Sequence, residues 1–226
     1  MANSFGHSGF KPTEHGLVGL DPPDLDAPFA ALFARDYQPR LEKRAAGFEA
    51  LFAALEQLPG PLLILETGTL RLPGNWEGDG QSSYMFDVFI QVEQARRRGG
   101  AFFSIDLSLE SIAAARRVCS GITNLICNDS VHALHSLARV MPGQRAALLY
   151  LDSFDLDIAD PLPSATHHMM EVAAASPLLG NGSLVAVDDY LVGGQVGGKG
   201  LLVDLYMNSI NAAVIYSGYQ KIWRLP

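Results

Sequence analysis

Cysteine is scarce: the 226 residues hold only Cys119 and Cys127. Two are too few for a disulfide framework, and they sit in neither a CxxC nor a Cys/His ligand spacing, so they read as core thiols of a reducing compartment. Positive charge is short as well, with 16 Lys and Arg against 24 Asp and Glu and a formal net charge of −8 at pH 7. The longest basic run, Arg96-Arg97-Arg98, falls at a predicted helix end, where it complements the helix dipole. A phosphate backbone is therefore a disfavoured partner. No unbroken apolar run approaches the ~18 residues of a membrane span, and Met1 to Leu20 lacks the basic-then-apolar pattern of a secretory signal. These deficits predict a soluble, cytoplasmic protein with neither nucleic acid nor membrane as partner, while a homo-oligomer stays open.

What the chain does have is apolar residues, 48% against 18% charged, enough to bury a core over a length that suits one α/β domain. Residues 1–26 mix Gly, His, Pro and Asp without periodicity and read as a flexible N-terminal arm. That arm is either a frayed terminus or a segment that folds Phe5 and Phe10 over a pocket; residues 27–226 form the domain. Phe48, Leu51, Phe52, Leu55 and Leu58 make one helical stripe that Pro59-Gly60 stops. A strand starts at Leu62, a long loop covers residues 72–80, and Ser82 caps a helix with the stripe Met85, Val88, Phe89, Val92. Strands over 101–105, 123–127, 146–151 and 183–187 then alternate with helices over 108–119, 130–139 and 164–175, which predicts a parallel, doubly wound sheet. Ala212 to Tyr216 and Tyr219 to Arg224 are separated by Ser217-Gly218 alone, too short for a crossover, so they form an antiparallel hairpin.

Chemistry concentrates where strands end. Leu62 to Leu65 runs into Glu66-Thr67-Gly68-Thr69, an acid and a glycine turn that let a ligand approach bare backbone. The next strand closes on Asp106 with Leu107 behind it, at the position where an acid takes both hydroxyls of a ribose. Read blandly, these are buried strands with capped loops. Gly80, Gln81 and Ser82 offer backbone donors and a hydroxyl at a helix N-terminus, suited to a carboxylate or to plain capping. Asp152 ends the fourth strand and Asp188-Asp189 the fifth. Three anions on one rim repel unless a cation sits among them, and a hard oxygen-seeking metal would serve. The alternative is that Asp188-Asp189 cap a turn while Asp152 faces solvent or a ligand.

Five parallel strands and a terminal hairpin, with Glu66-Thr-Gly68, Asp106, Asn128-Asp129-Ser130 and Leu151-Asp152 at successive strand ends, resemble the class I S-adenosylmethionine-dependent methyltransferases over residues 60–226. Tyr150-Leu-Asp152 and Val187-Asp188-Asp189-Tyr190 look like the macrocin O-methyltransferase and cephalosporin hydroxylase-like branch. The resemblance implies one Rossmann-like sheet of about seven strands, mostly parallel, with helices on both faces. It implies S-adenosyl-L-methionine held by Glu66, Thr67, Gly68, Thr69, Gln81, Ser82, Asp106, Leu107, Asp129, Ser130 and Asp152. It further implies Mg2+ or another divalent cation on Asp152, Asp188 and Asp189, and methyl transfer to a hydroxyl of a small-molecule acceptor.

For the general base two candidates stand beside the rim, an acid of the following loop such as Asp155 and the imidazole of His168, each with an ordinary reading as a solvated cap or a surface histidine. Gly193 to Gly200 reads as a flexible loop, a lid that brings Lys199 to the substrate or a plain connector, and it is not a P-loop because it lacks the GxxxxGK[ST] order. The first glycine turn departs from the compact GxGxG form, and the 71–80 insertion lengthens the path to the next helix. Two rivals remain: a nicotinamide-dependent oxidoreductase, disfavoured by the missing GxGxxG, and a noncatalytic nucleotide-binding module.

Overall fold

The computed structural model describes residues 23–96 and 98–226. The expected arm lies outside them apart from residues 23–26, as do Phe5, Phe10 and Arg97. Its strands are β1 (Leu62–Thr67), β2 (Gly100–Asp106), β3 (Thr123–Cys127), β4 (Ala146–Leu151), β5 (Leu184–Val187), β6 (Leu191–Val192), β7 (Gln195–Val196), β8 (Ala213–Ser217) and β9 (Lys221–Arg224). Seven of them form one sheet in the order β3-β2-β1-β4-β5-β9-β8. The first five are parallel, and β9 runs antiparallel between β5 and β8. Chain order reverses between β1 and β4, which opens a crevice at their carboxyl ends.

Alternation of side chains along each strand feeds two cores. Ile64, Phe102, Leu148 and Ala186 share a core with α1 (Phe29–Leu32), α2 (Ala45–Glu56), α3 (Trp76–Asp79) and α4 (Ser82–Ala95), and α5 (Leu109–Val118) adds Ala114 to the same side. Leu65, Leu149, Val185 and Trp223 face α6 (Ser130–Val140), α7 (Leu162–Ala175) and α8 (Leu201–Ser209). Helices thus cover both faces. The first core is aromatic, with Phe86 edge-on to Tyr150 at 5.3 Å and to Phe102 at 5.7 Å. No helix among the described residues is long and apolar enough to cross a membrane.

Three segments differ from the sequence reading. Residues 29–44 carry α1, a π-helical turn (Phe33–Tyr37) and two 3-10 turns (Gln38–Arg40, Glu42–Arg44), each too short to show a helical period. The expected flexible loop over 193–200 is instead the β6–β7 hairpin followed by a 3-10 turn (Gly198–Gly200) that enters α8. Its glycines serve backbone geometry: Gly198 has φ +44°, and a Cβ there would sit 1.9 Å from the Asp189 carbonyl oxygen. Finally, the cysteines are not core thiols, since Cys127 is exposed and Cys119 half-buried; β3 is the sheet's edge strand and buries its residues only in part.

Phe86 is wholly buried among four aromatic rings, Phe48, Phe52, Phe102 and Tyr150. Phe86→Ala is expected to cost about 3–5 kcal/mol, through lost transfer energy and the cavity left behind. Urea unfolding checks this; a cost under about 1 kcal/mol would mean that this face collapses around the gap rather than holding its packing.

Candidate functional site

All five parallel strands release their ends on one rim, and backbone hydrogen bonds fix the turns there. The Gly68 amide donates to the Ile105 carbonyl (2.9 Å), Asp152 to Thr67 (2.8 Å), Asn128 to Asp106 (3.0 Å) and Asp188 to Leu151 (3.1 Å). Gly68 adopts φ +84°, and a Cβ would lie 2.3 Å from the Asp152 carbonyl oxygen. Only glycine lets the β1 turn pass that close to the β4 end.

One half of the rim is built around Glu66 and Asp106. Glu66 is wholly buried; its Oε2 accepts from the hydroxyls of Ser83 (2.6 Å) and Ser104 (2.5 Å). Burial pushes its carboxyl up to about 7, against the pull of those hydroxyls. The Ser104 hydroxyl also meets that of Thr69 (2.6 Å). Asp106 accepts from the Thr69 amide (2.9 Å) and the Ser108 amide (2.7 Å), one on each oxygen, so the carboxylate is locked across the β1 turn. Nearby, Asp129 caps α6 through the His132 amide (2.8 Å). The Ser130 hydroxyl meets His167 Nε2 (2.9 Å), which lies 3.3 Å from Glu171, and Ser153 donates to the same Glu171 oxygen (2.7 Å). The Glu171 hydrogen bond raises the His167 pKa despite desolvation.

The other half is acidic and already neutralised in part. Asp152, Asp188 and Asp189 bring ligand oxygens within 4.8 Å of one another. Asp188 is wholly buried and pairs with Arg44 (Nε 2.9 Å, Nη2 2.9 Å); the Tyr150 hydroxyl donates to its other oxygen at 3.3 Å. Lys199, 2% exposed, donates to Asp152 and lies 3.1 Å from Asp189. Tyr219 donates to the second Asp189 oxygen. Burial and the two neighbouring carboxylates raise the Asp152 pKa against the pull of Lys199. In Asp189 the effect of burial is outweighed by Lys199, Tyr219 and Arg44, which lower it. A hard divalent cation suits this all-oxygen donor set, but the Lys199 ammonium takes the space between Asp152 and Asp189.

The two halves meet in one cleft lined by Gly68, Thr69, Ser82, Asp106 and Asp152, together with Arg71 and Asp79. A second notch shares Asp106 and adds Leu107, Asp129, Ser130 and His167. No family model matches the chain, and no curated protein does. Solved structures do. The CalS11 calicheamicin methyltransferase is 15% identical with a TM-score of 0.56, over 90% of this chain and 97% of that one. An O-methyltransferase from Bacillus cereus in complex with SAH is 14% identical, TM-score 0.51, over 91% and 93%. The MycE methyltransferase of the mycinamycin biosynthetic pathway, in complex with Mg, SAH and mycinamycin VI, is 17% identical with a TM-score of 0.55. Against MycE the match covers 91% of this chain and 55% of that one, so the chain spans about half of MycE's length.

The fold is that of the class I methyltransferases.

On this methyltransferase fold the expected residues divide into those at the rim and those turned away. Gly68, Thr69, Ser82, Asp106 and Asp152 line the main cleft, and Leu107, Asp129 and Ser130 the adjoining notch. Glu66 and Thr67 are buried beneath the turn. Gln81 spends its amide on the 72–75 loop, donating to the Leu72 carbonyl (3.0 Å) and accepting from the Gly74 amide (2.9 Å). It, rather than Ser82, stands at the α4 N-cap, in a left-handed conformation. The hydrogen bonds of the two expected bases go elsewhere than the acidic cluster, although the Lys199 charge reaches His168. Asp155 is 78% exposed and paired with Arg71 (3.1 Å). His168 is wholly buried, donates Nδ1–H to the Ser164 carbonyl (2.7 Å) and has its pKa pushed down to about 4 by desolvation.

The places of Arg44, Tyr150, Tyr219 and Glu171 at the site escaped the sequence reading. Arg44 and Asp188 are 144 positions apart, and no local spacing marks such a pair. The signal that existed was electrostatic: three carboxylates gathered at one rim require cations from elsewhere in the chain.

Glu66 generates a pH prediction. Its pKa is about 7 in the folded protein against 4.5 for the free group, so between these values the folded state binds more protons than the unfolded one. The contribution is fully present below pH 4.5 and is lost as pH rises towards 7, by about 3 kcal/mol. Glu66→Gln is therefore expected to gain stability relative to the parent at pH 8 compared with pH 4.5. Urea midpoints of both proteins at the two pH values test it, and an unchanged difference overturns it.

Proposed function

We propose that the protein transfers a methyl group from S-adenosylmethionine to a hydroxyl of a small-molecule acceptor. The observation that carries this reading is the single cleft in which the Gly68–Asp106 half and the Asp152 half face each other: one end suits a nucleoside, the other a cation and a proton acceptor. The bound SAH in the Bacillus cereus neighbour and in MycE, and the mycinamycin VI bound in MycE, support it.

In this reading Asp106 takes the ribose hydroxyls with its remaining lone pairs, while Asp129, Ser130 and the exposed Leu107 flank the base. Ser82 and the first turn of α4 receive the amino-acid carboxylate. Glu66 acts from below, holding Ser83 and Ser104 so that the β1 turn keeps its shape. Asp152 faces the sulfonium. The acceptor oxygen attacks the methyl carbon as the carbon–sulfur bond breaks, so a carbon–oxygen bond forms and neutral S-adenosylhomocysteine leaves. The hydroxyl proton passes to Asp152, whose burial and acidic neighbours make it a better base than a free aspartate. Holding the reactants in line supplies much of the acceleration. Magnesium assistance, implied by the resemblance, would need the ion to displace the Lys199 ammonium from Asp152 and Asp189, and the steps above do not call on it.

Calorimetry tests the reading. S-adenosylmethionine and S-adenosylhomocysteine are expected to bind and NAD is not. Asp106→Asn should weaken binding about 10–100-fold through loss of a charged hydrogen bond. NAD binding without the sulfonium ligand would replace methyl transfer by hydride transfer, and cofactor binding with no turnover on any hydroxyl acceptor would leave a binding module.

A further inference from the structure

Lys199 is an unusual resident for an acidic rim. A lysine that is 2% exposed has given up the solvation of its charge, which is tolerated only where carboxylates replace the water. Here they do: Asp152 accepts from Nζ, and Asp189 Oδ2 lies 3.1 Å away. The backbone is shaped to deliver it. Gly197 and Gly198 hold φ +113° and +44°, and the 3-10 turn of Gly198–Gly200 is pressed against the Asp189 carbonyl so tightly that a Cβ on Gly198 has no room. The Lys199 amide itself donates to that carbonyl (3.3 Å). The ammonium is therefore set from the main chain outward, unlike a surface lysine that folds onto whatever acid is near.

The remaining oxygens of the trio are also engaged. Asp188 receives Arg44 on one oxygen and Tyr150 on the other, and Asp189 Oδ1 receives Tyr219. With Lys199 on Asp152 Oδ1 and Asp189 Oδ2, five of the six carboxylate oxygens face a donor. A magnesium ion bound through carboxylates requires oxygens at about 2.0–2.1 Å in near-octahedral array. To reach them here it would have to expel the ammonium, or sit beside it and bear the repulsion of a second cation in a largely dry site.

We propose that Lys199 is the resident cation of this rim, standing where a divalent metal would otherwise bind Asp152, Asp188 and Asp189, so that the site works without metal. The assignment rests on the methyltransferase reading only for its consequence, the stabilisation of a developing alkoxide; the occupancy itself is a property of the four side chains.

The test uses the whole chain, stripped with chelator, and Mn2+ as the probe, with its free-ion electron paramagnetic resonance signal as the readout. The parent protein is expected to leave the Mn2+ signal unchanged at millimolar concentration. Lys199→Ala, which keeps the three carboxylates and removes their cation, should take up Mn2+ roughly tenfold more tightly or better. Lys199→Arg, which retains a positive charge, should behave as the parent and guards against a misfolded alanine variant. Stoichiometric Mn2+ uptake by the parent, or uptake by Lys199→Arg equal to that of Lys199→Ala, overturns the proposal. S-adenosylhomocysteine calorimetry on the same samples separates the two readings. In the parent, absence of cofactor binding with no Mn2+ uptake refutes the methyl-transfer function and leaves Lys199 as the cation, whereas Mn2+ uptake by the parent with cofactor binding intact does the reverse.

Discussion

Asp188 follows β5 directly and has no exposed surface, and an ionised carboxylate in that position is stable only with partners at hand. Meeting this need organises the sheet's acidic end. Arg44 comes over from the 3-10 turn that precedes α2, and to do so it brings the 38–44 segment across the rim, donating also to the Glu77 carbonyl (2.9 Å). Tyr219, in the turn between β8 and β9, lies under the guanidinium at 4.9 Å and binds Asp189. Tyr150 reaches Asp188 from β4, and Gln220 donates to the Tyr150 hydroxyl (2.8 Å). Four separate stretches of chain are thereby tied to one buried charge. Removing a partner from a buried pair of this kind costs about 3–5 kcal/mol, so geometry at the cleft and stability of the sheet are linked through the same side chains.

How much of this was legible beforehand depends on range. Strand and helix alternation from Leu62 to Ala175 is a local pattern, written into apolar runs and the glycines between them, and the order of elements followed from it. The short link Ser217-Gly218 was enough to make the last two strands antiparallel. The strand-end acids were legible because a parallel sheet delivers all its carboxyl ends to one edge. Arg44 was not, because its role is fixed by a fold-level approach between distant segments and by no spacing of its own. Gly193 to Gly200 misled in the opposite way: glycine content signals freedom in an unfolded chain, yet at Gly198 it marks the closest approach of two backbones.

The same distinction explains His168, Asp155 and Gln81. Each is a residue type with the right chemistry on a segment that follows a strand end, and each spends its hydrogen bonds on a partner other than the acidic cluster. His168 falls on the inner side of α7, where Ser164 one turn earlier offers a carbonyl. Asp155 projects from a loop and meets Arg71 at the surface. Gln81 is drawn back onto the insertion it follows, bonding the Leu72 carbonyl and the Gly74 amide. His167, its neighbour in sequence, is the one that lines the notch beside Asp106. Helix phase turns His168 inward and leaves His167 at the notch.

Charge balance gives the rim a direction. Three carboxylates against Lys199 and Arg44 leave one formal negative charge close to the end of β1. On the proposed reaction, a sulfonium entering the cleft neutralises that charge, while the product, uncharged at sulfur, does not. At short range in a poorly solvated site the difference favours reactant over product, which is the sense turnover requires. Were a divalent cation added to the two resident ones, the same region would carry a net positive charge and repel the sulfonium. On that reading, a rim that keeps a single ammonium at this position, in place of a divalent ion, avoids a conflict between cofactor and metal.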